Sequence, residues 1–211
     1  MNARMLAGEI RALSQVKPTR GATALLFEAI VIAAVMSIAI EQPILSPLAV
    51  LVIATRQRAL ADLLHAGVHR HLSDSVRIND LLCEIIAWPM GWSARAYRQA
   101  HCRAHQNDAP PVLAVAAMLR PDASDTPLLY HMGMLSFYAA SLVMMVSQGW
   151  VGEILVLWML PRLMLPLQPS NAGWLDVARA QAYTTRYRDS HLRFPSVPWY
   201  HLEHLEGRLE D

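Results

Sequence analysis

The amino-acid sequence predicts an all-α integral membrane protein, with four transmembrane helices paired as two hairpins and a histidine-rich helical cap on the cytoplasmic side. Three observations predict it. Apolar residues make up 54% of the 211-residue chain and charged residues only 17%, and the mean hydropathy of +0.25 leans toward a membrane protein. The apolar residues are gathered into long runs separated by proline, glycine and polar turns. The arginines cluster in segments that two hairpins would place on one side of a bilayer, which is the side that positive charge marks as cytoplasmic.

Taken in order, the first twenty residues contain Arg4, Arg11, Lys17 and Arg20 in a polar stretch. The run that follows has no small-residue cleavage site, so it reads as a retained span and not as a signal peptide. Residues 22–40 (ATALLFEAIVIAAVMSIAI) carry Glu28 as their only charge, and this length crosses a hydrocarbon core of ~30 Å at ~1.5 Å per residue. Pro43 and Pro47 bracket a turn before a second span at 44–65, which continues as helix through RQRALADLLHAGVH with an amphipathic second half. Arg56 and Arg58 are costly at mid-bilayer, so they are expected to face the bundle interior or lie where the helix emerges.

Leu81 to Trp92 is too short to span and is interrupted by Glu84 and Pro89. It is expected along the interface, with Trp88 and Trp92 at headgroup level. Just before it, Asn79 or Asp80 in RIND reads as a helix cap. Met134 to Leu167 is broken by Gln148, Gly149, Gly152, Glu153, Pro161 and Arg162, which predicts spans at 134–148 and 152–168. The whole chain, 1–211, is then one domain, with the cap built from 66–130 and 169–211 and both termini in the cytoplasm.

Composition also excludes some roles. A formal charge of +1 and scattered arginines provide no basic field for nucleic acid. Cys83 and Cys102 have neither CxxC spacing nor the density of a disulfide scaffold, which fits a reducing compartment.

The nine histidines carry the distinctive chemistry. Eight fall on the cytoplasmic side in three groups: His65, His69 and His71; His101 and His105; His191, His201 and His204. Two histidines four apart on a helix share one face with Cβ atoms ~5–6 Å apart, and HAGVH and HCRAH both have this spacing. A single such pair reads equally as an incidental surface or core pairing. Two pairs on one membrane face, with a third group returning to it, point to a metal site, and an all-imidazole set with few carboxylates suits iron, copper, zinc or nickel. His71 and His131 read first as interfacial polar residues and only second as ligands. Glu203, Asp108 and Asp189, near the histidine groups, read as solvated acids.

The stretch RQRALADLLHAGVHRHL, then NDLLCEIIAWPMGWSARAYRQAHCRAHQNDAPP, then HLRFPSVPWYHLEHL resembles the membrane fatty acid desaturase superfamily, particularly its bacterial branch. The likeness runs from about Arg56 onward and preserves the order of histidine boxes around two hairpins. It implies a di-iron centre with His65, His69, His101, His105 and His191 as ligands, and with His201 and His204 as further candidates. It also implies O2-dependent oxidation of a fatty acyl or other lipid-like substrate, electrons from a ferredoxin or cytochrome b5 type donor, and a place in the bacterial inner membrane.

The chain departs from the family pattern. Ala66 replaces the acidic residue that often follows the first histidine, and Ala104 stands where the family's HxxHH has its middle histidine. The third box has two registers. In one, His191 opens the final pair with Arg188 and Leu192 in the other positions; in the other, His201 and His204 match and Leu205 replaces the last histidine. The expected activity is desaturation. The alternatives are a related hydroxylase or ketolase, a degenerate non-catalytic homologue with a membrane interaction role, and a zinc hydrolase, which is disfavoured because neither pair is HExxH.

Overall fold

The computed structural model describes residues 3–106, 128–164 and 188–210. Among these, every regular element is helical and no strand occurs, in agreement with the expected all-α class. Helix α1 (Ala3–Leu13) leads into α2 (Pro18–Glu41), whose first turn opens on a proline, at a position where the missing N–H has no intrahelical partner to lose. A short 3-10 turn, Pro43–Leu45, reverses the chain into α3 (Ser46–Val68). Helices α4 (Val76–Ala87) and α5 (Ala94–Gln106) follow. Helix α6 (Leu128–Gln148) precedes α7 (Val151–Ile154), a π turn at Leu155–Met159 and α8 (Leu160–Met164). Helices α9 (Arg188–Arg193) and α10 (Trp199–Glu210) close the described chain.

The stretches Pro18–Glu41 and Pro43–Val68 are long and apolar enough to cross a membrane. Their outer faces fit that environment: Leu26, Phe27, Ile30, Ile44, Leu48 and Leu51 are all exposed, an extent of apolar surface that water penalises and lipid does not. Between the two helices, Ala39, Ala49, Val50 and Ile53 form a small core with Leu157. Arg56 and Glu28 face the interior, 4% and 1% exposed, and pair at 3.3 Å. The interior placement expected for Arg56 is therefore met by a specific partner on α2, the single charge of the first apolar run.

Four spans were expected, and two pass the same length and hydropathy test among the described residues. The apolar part of α6, Met132–Gln148, is shorter. Gly149, at φ +71°, then ends the helix, and the run after it is divided by the π turn, while 165–168 lie outside the described residues. The π turn is tied to its neighbours. The Trp158 carbonyl accepts from Gln57 Nε2 at 2.9 Å, and Trp158 Nε1 donates to the Pro89 carbonyl at 3.0 Å.

A larger core lies beyond the inner end of this hairpin. Leu60, Leu63, Leu64, Ala66 and Val68 from α3 meet Leu72, Cys83, Ile86, Ala87 and Tyr97, and α10 closes over them with Trp199, Leu202 and Leu205. Helix α4 leaves Ile78, Leu81 and Ile85 exposed on its far side, consistent with the expected interfacial element. Trp88 and Trp92 also have contacts within the fold. They are partly buried in the turn after α4, where Tyr138 Oη donates to the Trp88 carbonyl at 2.8 Å and Arg162 stacks 5.4 Å from the Trp92 ring.

Candidate metal centre

The site begins where α3 ends. Arg70 adopts a left-handed conformation at φ 62°. Its N–H bonds to the Gly67 carbonyl at 3.0 Å and the His71 N–H bonds to the Ala66 carbonyl at 3.0 Å, which together make a Schellman turn. The helix therefore stops with His65 and His69 one turn apart on a single face, and His71 follows directly in the reversed chain. The turn packs tightly: a Cβ on Gly67 would run into Cys83 Sγ and Leu72 Cδ1, so only glycine fits there.

Two side chains then hold the Gly67 carbonyl. Asn79 Nδ2 donates to it at 2.8 Å and Arg98 Nη2 at 3.2 Å. Asn79 Oδ1 also accepts from the Leu72 N–H at 3.2 Å, and Arg98 pairs with Asp80 at 2.7 Å. This revises the role expected for Asn79. It lies inside α4, whose N-cap is Ser75, and its amide gives the Leu72 N–H an acceptor and the Gly67 carbonyl a further donor in the reversed chain after α3. For Asp80, burial pushes the carboxyl up, but the hydrogen bond and charge of Arg98 outweigh it and hold the group below its usual range. Burial pushes the Cys83 thiol up to about 12.

With α3, α4 and α5 clamped in this way, four imidazoles converge. The ligating nitrogens of His65, His69, His101 and His191 all lie within 4.8 Å of one another. Two contacts are close: Nε2 to Nε2 is 3.0 Å between His65 and His191, and 2.9 Å between His69 and His101. Both pairs are within hydrogen-bond distance, and the four nitrogens together lie close enough to share a transition metal. His101 and His191 are buried and His65 and His69 partly so, which keeps water from competing for the donors. Tyr97, also buried, stands with its ring 5.6 Å from that of His101.

His71 borders the group, its ring stacked 5.8 Å from that of His69. It is 2% exposed, and neither ring nitrogen has a hydrogen-bond partner. Burial, and then the neighbouring His191, lower its pKa to about 4, while the Ser196 backbone opposes this.

Of the seven candidate ligands, the structure brings together His65, His69, His101 and His191. His191, the residue that the first register of the third box would use, is among them. His105 lies on α5 one turn past His101, but its side chain is outside the described residues. His201 and His204 are on α10 and turn toward the N-terminal arm. The His201 pKa is lowered by burial and by Lys17, His204 and Arg20, and His204 Nε2 lies 3.7 Å from Glu9. Sequence reasoning passed over Asn79 and Arg98 as supports, and no spacing rule would have found them, because they act through a main-chain carbonyl. No family model, no curated protein and no solved structure matches the chain.

Proposed function

We propose that this chain is an iron- and O2-dependent membrane oxidoreductase of the fatty acid desaturase type, acting on a fatty acyl or other lipid-like chain. The observation that carries the reading is the convergence of His65, His69, His101 and His191, drawn from three separate stretches of chain, at one end of an apolar helical hairpin. Imidazoles without carboxylates select a transition metal over magnesium or calcium. Non-haem iron, when bound, supplies the O2 activation needed to attack an unactivated C–H bond, which protein side chains do not perform unaided.

The protein's own part is to hold and orient. The Schellman turn and the doubly held Gly67 carbonyl fix His65 and His69, α5 presents His101 against them, and α9 delivers His191 from the other direction. The finer architecture belongs to the same proposal: four spans, cytoplasmic histidines, the inner membrane, two irons and a ferredoxin or cytochrome b5 type donor. Of these, the further spans are supported by the exposed Leu135, Val143 and Val146 on α6 and by the exposed Leu155, Val156 and Leu163 after it.

A second reading has its own support. Ala104, Arg188 and Leu192 stand where the resemblance expects imidazoles, and a protein with so few ligands suits a metal-holding or interaction role without turnover. Expression in a host with known membrane lipids separates the two. New double bonds or hydroxyl groups that disappear in His69→Ala and His101→Ala support the oxidoreductase. Iron binding with an unaltered lipid profile supports the non-catalytic reading.

A further inference from the structure

We propose that His71 is a fifth metal-binding imidazole of this centre, an inference that rests on the metal reading above. His71 is held in place before any ligand arrives: the Schellman turn anchors its N–H to Ala66, and Asn79 holds the next residue, Leu72. Its side chain is 2% exposed, yet both ring nitrogens lack a hydrogen-bond partner. Buried polar atoms are satisfied in the great majority of cases, and leaving one without a partner is costly. Here two lie on one ring, stacked 5.8 Å from His69, which is itself one of the four converging residues.

The backbone adds a second observation. The turn that aims His71 runs through Arg70 in the left-handed region, whereas the other two described positive-φ turns, at Gly91 and Gly149, use glycine. A non-glycine residue held there carries a steric cost, and such strain gathers where geometry serves a site. The four-histidine set also has room for another donor. Its 2.9 and 3.0 Å contacts form two separate pairs, His69 with His101 and His65 with His191. Shared between the two irons of the reading above, four imidazoles give two per ion, short of the four or more ligands that a transition metal takes, and His71 would add a donor beside His69.

Purified full-length protein, stripped of metal and titrated with Co(II), tests the inference. His71→Leu removes both orphan nitrogens and fills similar volume, so the metal-free protein is expected to keep or raise its Tm. Co(II) affinity is expected to fall at least ten-fold, with a change in the visible ligand-field bands. A Co(II) titration and spectrum identical to those of the unaltered chain overturn the inference. If His71→Leu does not fold, His71→Gln is read by the same titration and the same criteria. His69→Ala runs alongside. Loss of Co(II) in His69→Ala with His71 variants unaffected sinks only the fifth ligand, while unaltered binding in all variants sinks the metal centre itself.

Discussion

Arg70 carries the geometry of the site without contacting any ligand through its side chain. Its left-handed backbone is what turns the chain so that His69 and His71 lie together, and the residue bears a steric cost that glycine does not. Arg70→Gly is expected to leave the turn intact and raise stability by about 1 kcal/mol, read as a higher Tm; a lower Tm would mean the arginine side chain makes a contact that matters more than its strain. Gly67 is the opposite case. Gly67→Ala has no room against Cys83 and Leu72 and is expected to lower Tm and to weaken metal binding together. The two cysteines separate cleanly. Cys83 is buried with its thiol pushed up to about 12, and Cys102 is exposed. A thiolate reagent at pH 8 is expected to label one site per folded chain, at Cys102, and a second label without denaturant would contradict the packing described. At this scale the sequence was legible where a residue's spacing reports its face: His65 with His69 stands out at four apart. Arg70, Asn79 and Arg98 were not legible, because their roles depend on a main-chain carbonyl and a backbone angle that no side-chain pattern encodes. His71 read as an interfacial polar residue because its neighbours arrive from distant parts of the chain.

Between elements, two contacts decide how the helices sit. The first is the buried Arg56–Glu28 pair joining α2 to α3 at 3.3 Å. Removing one partner strands a buried charge at a cost of roughly 3–5 kcal/mol, whereas replacing both with apolar residues is often neutral. Glu28→Leu and Arg56→Leu are each expected to reduce folded yield and Tm, and the double variant to recover most of the loss; losses that simply add would show that the pair is not coupled. The second is the Asp80–Arg98 contact bracing the end of α3. The Asp80 pKa lies below its ordinary 3.8, so the contact stabilises the fold above the unfolded value, and that contribution disappears as pH falls through the lowered one. The Tm gap between the native chain and Asp80→Asn is therefore expected at neutral pH and should close in acid. The two helices long and apolar enough to cross a membrane were readable from apolar length alone, and the helix continuing through HAGVH followed from its amphipathic period. The second hairpin was read too regularly. Its helix ends at Gly149 and passes through a π turn at Leu155–Met159, and a π turn answers to the tertiary contacts of Trp158 and Gln57, which local sequence does not announce.

Across the whole molecule, an apolar hairpin presents to its inner end a helical cap in which three distant stretches bring their imidazoles together. The all-α class followed from composition and periodicity, and the stretches whose histidines converge from histidine spacing. The choice between two registers for the third group needed the fold, since His191 and the pair His201 and His204 are separated only by which way α9 and α10 face. The most direct measurement is X-ray absorption on anaerobically purified, iron-reconstituted full-length protein in lipid nanodiscs, alongside the variant lacking His65, His69, His101 and His191. The account predicts bound iron with imidazole nitrogens in its inner shell at roughly 2.0–2.2 Å, and loss of that iron in the variant. Iron that fails to bind the native chain, or that binds the variant equally well, would contradict it.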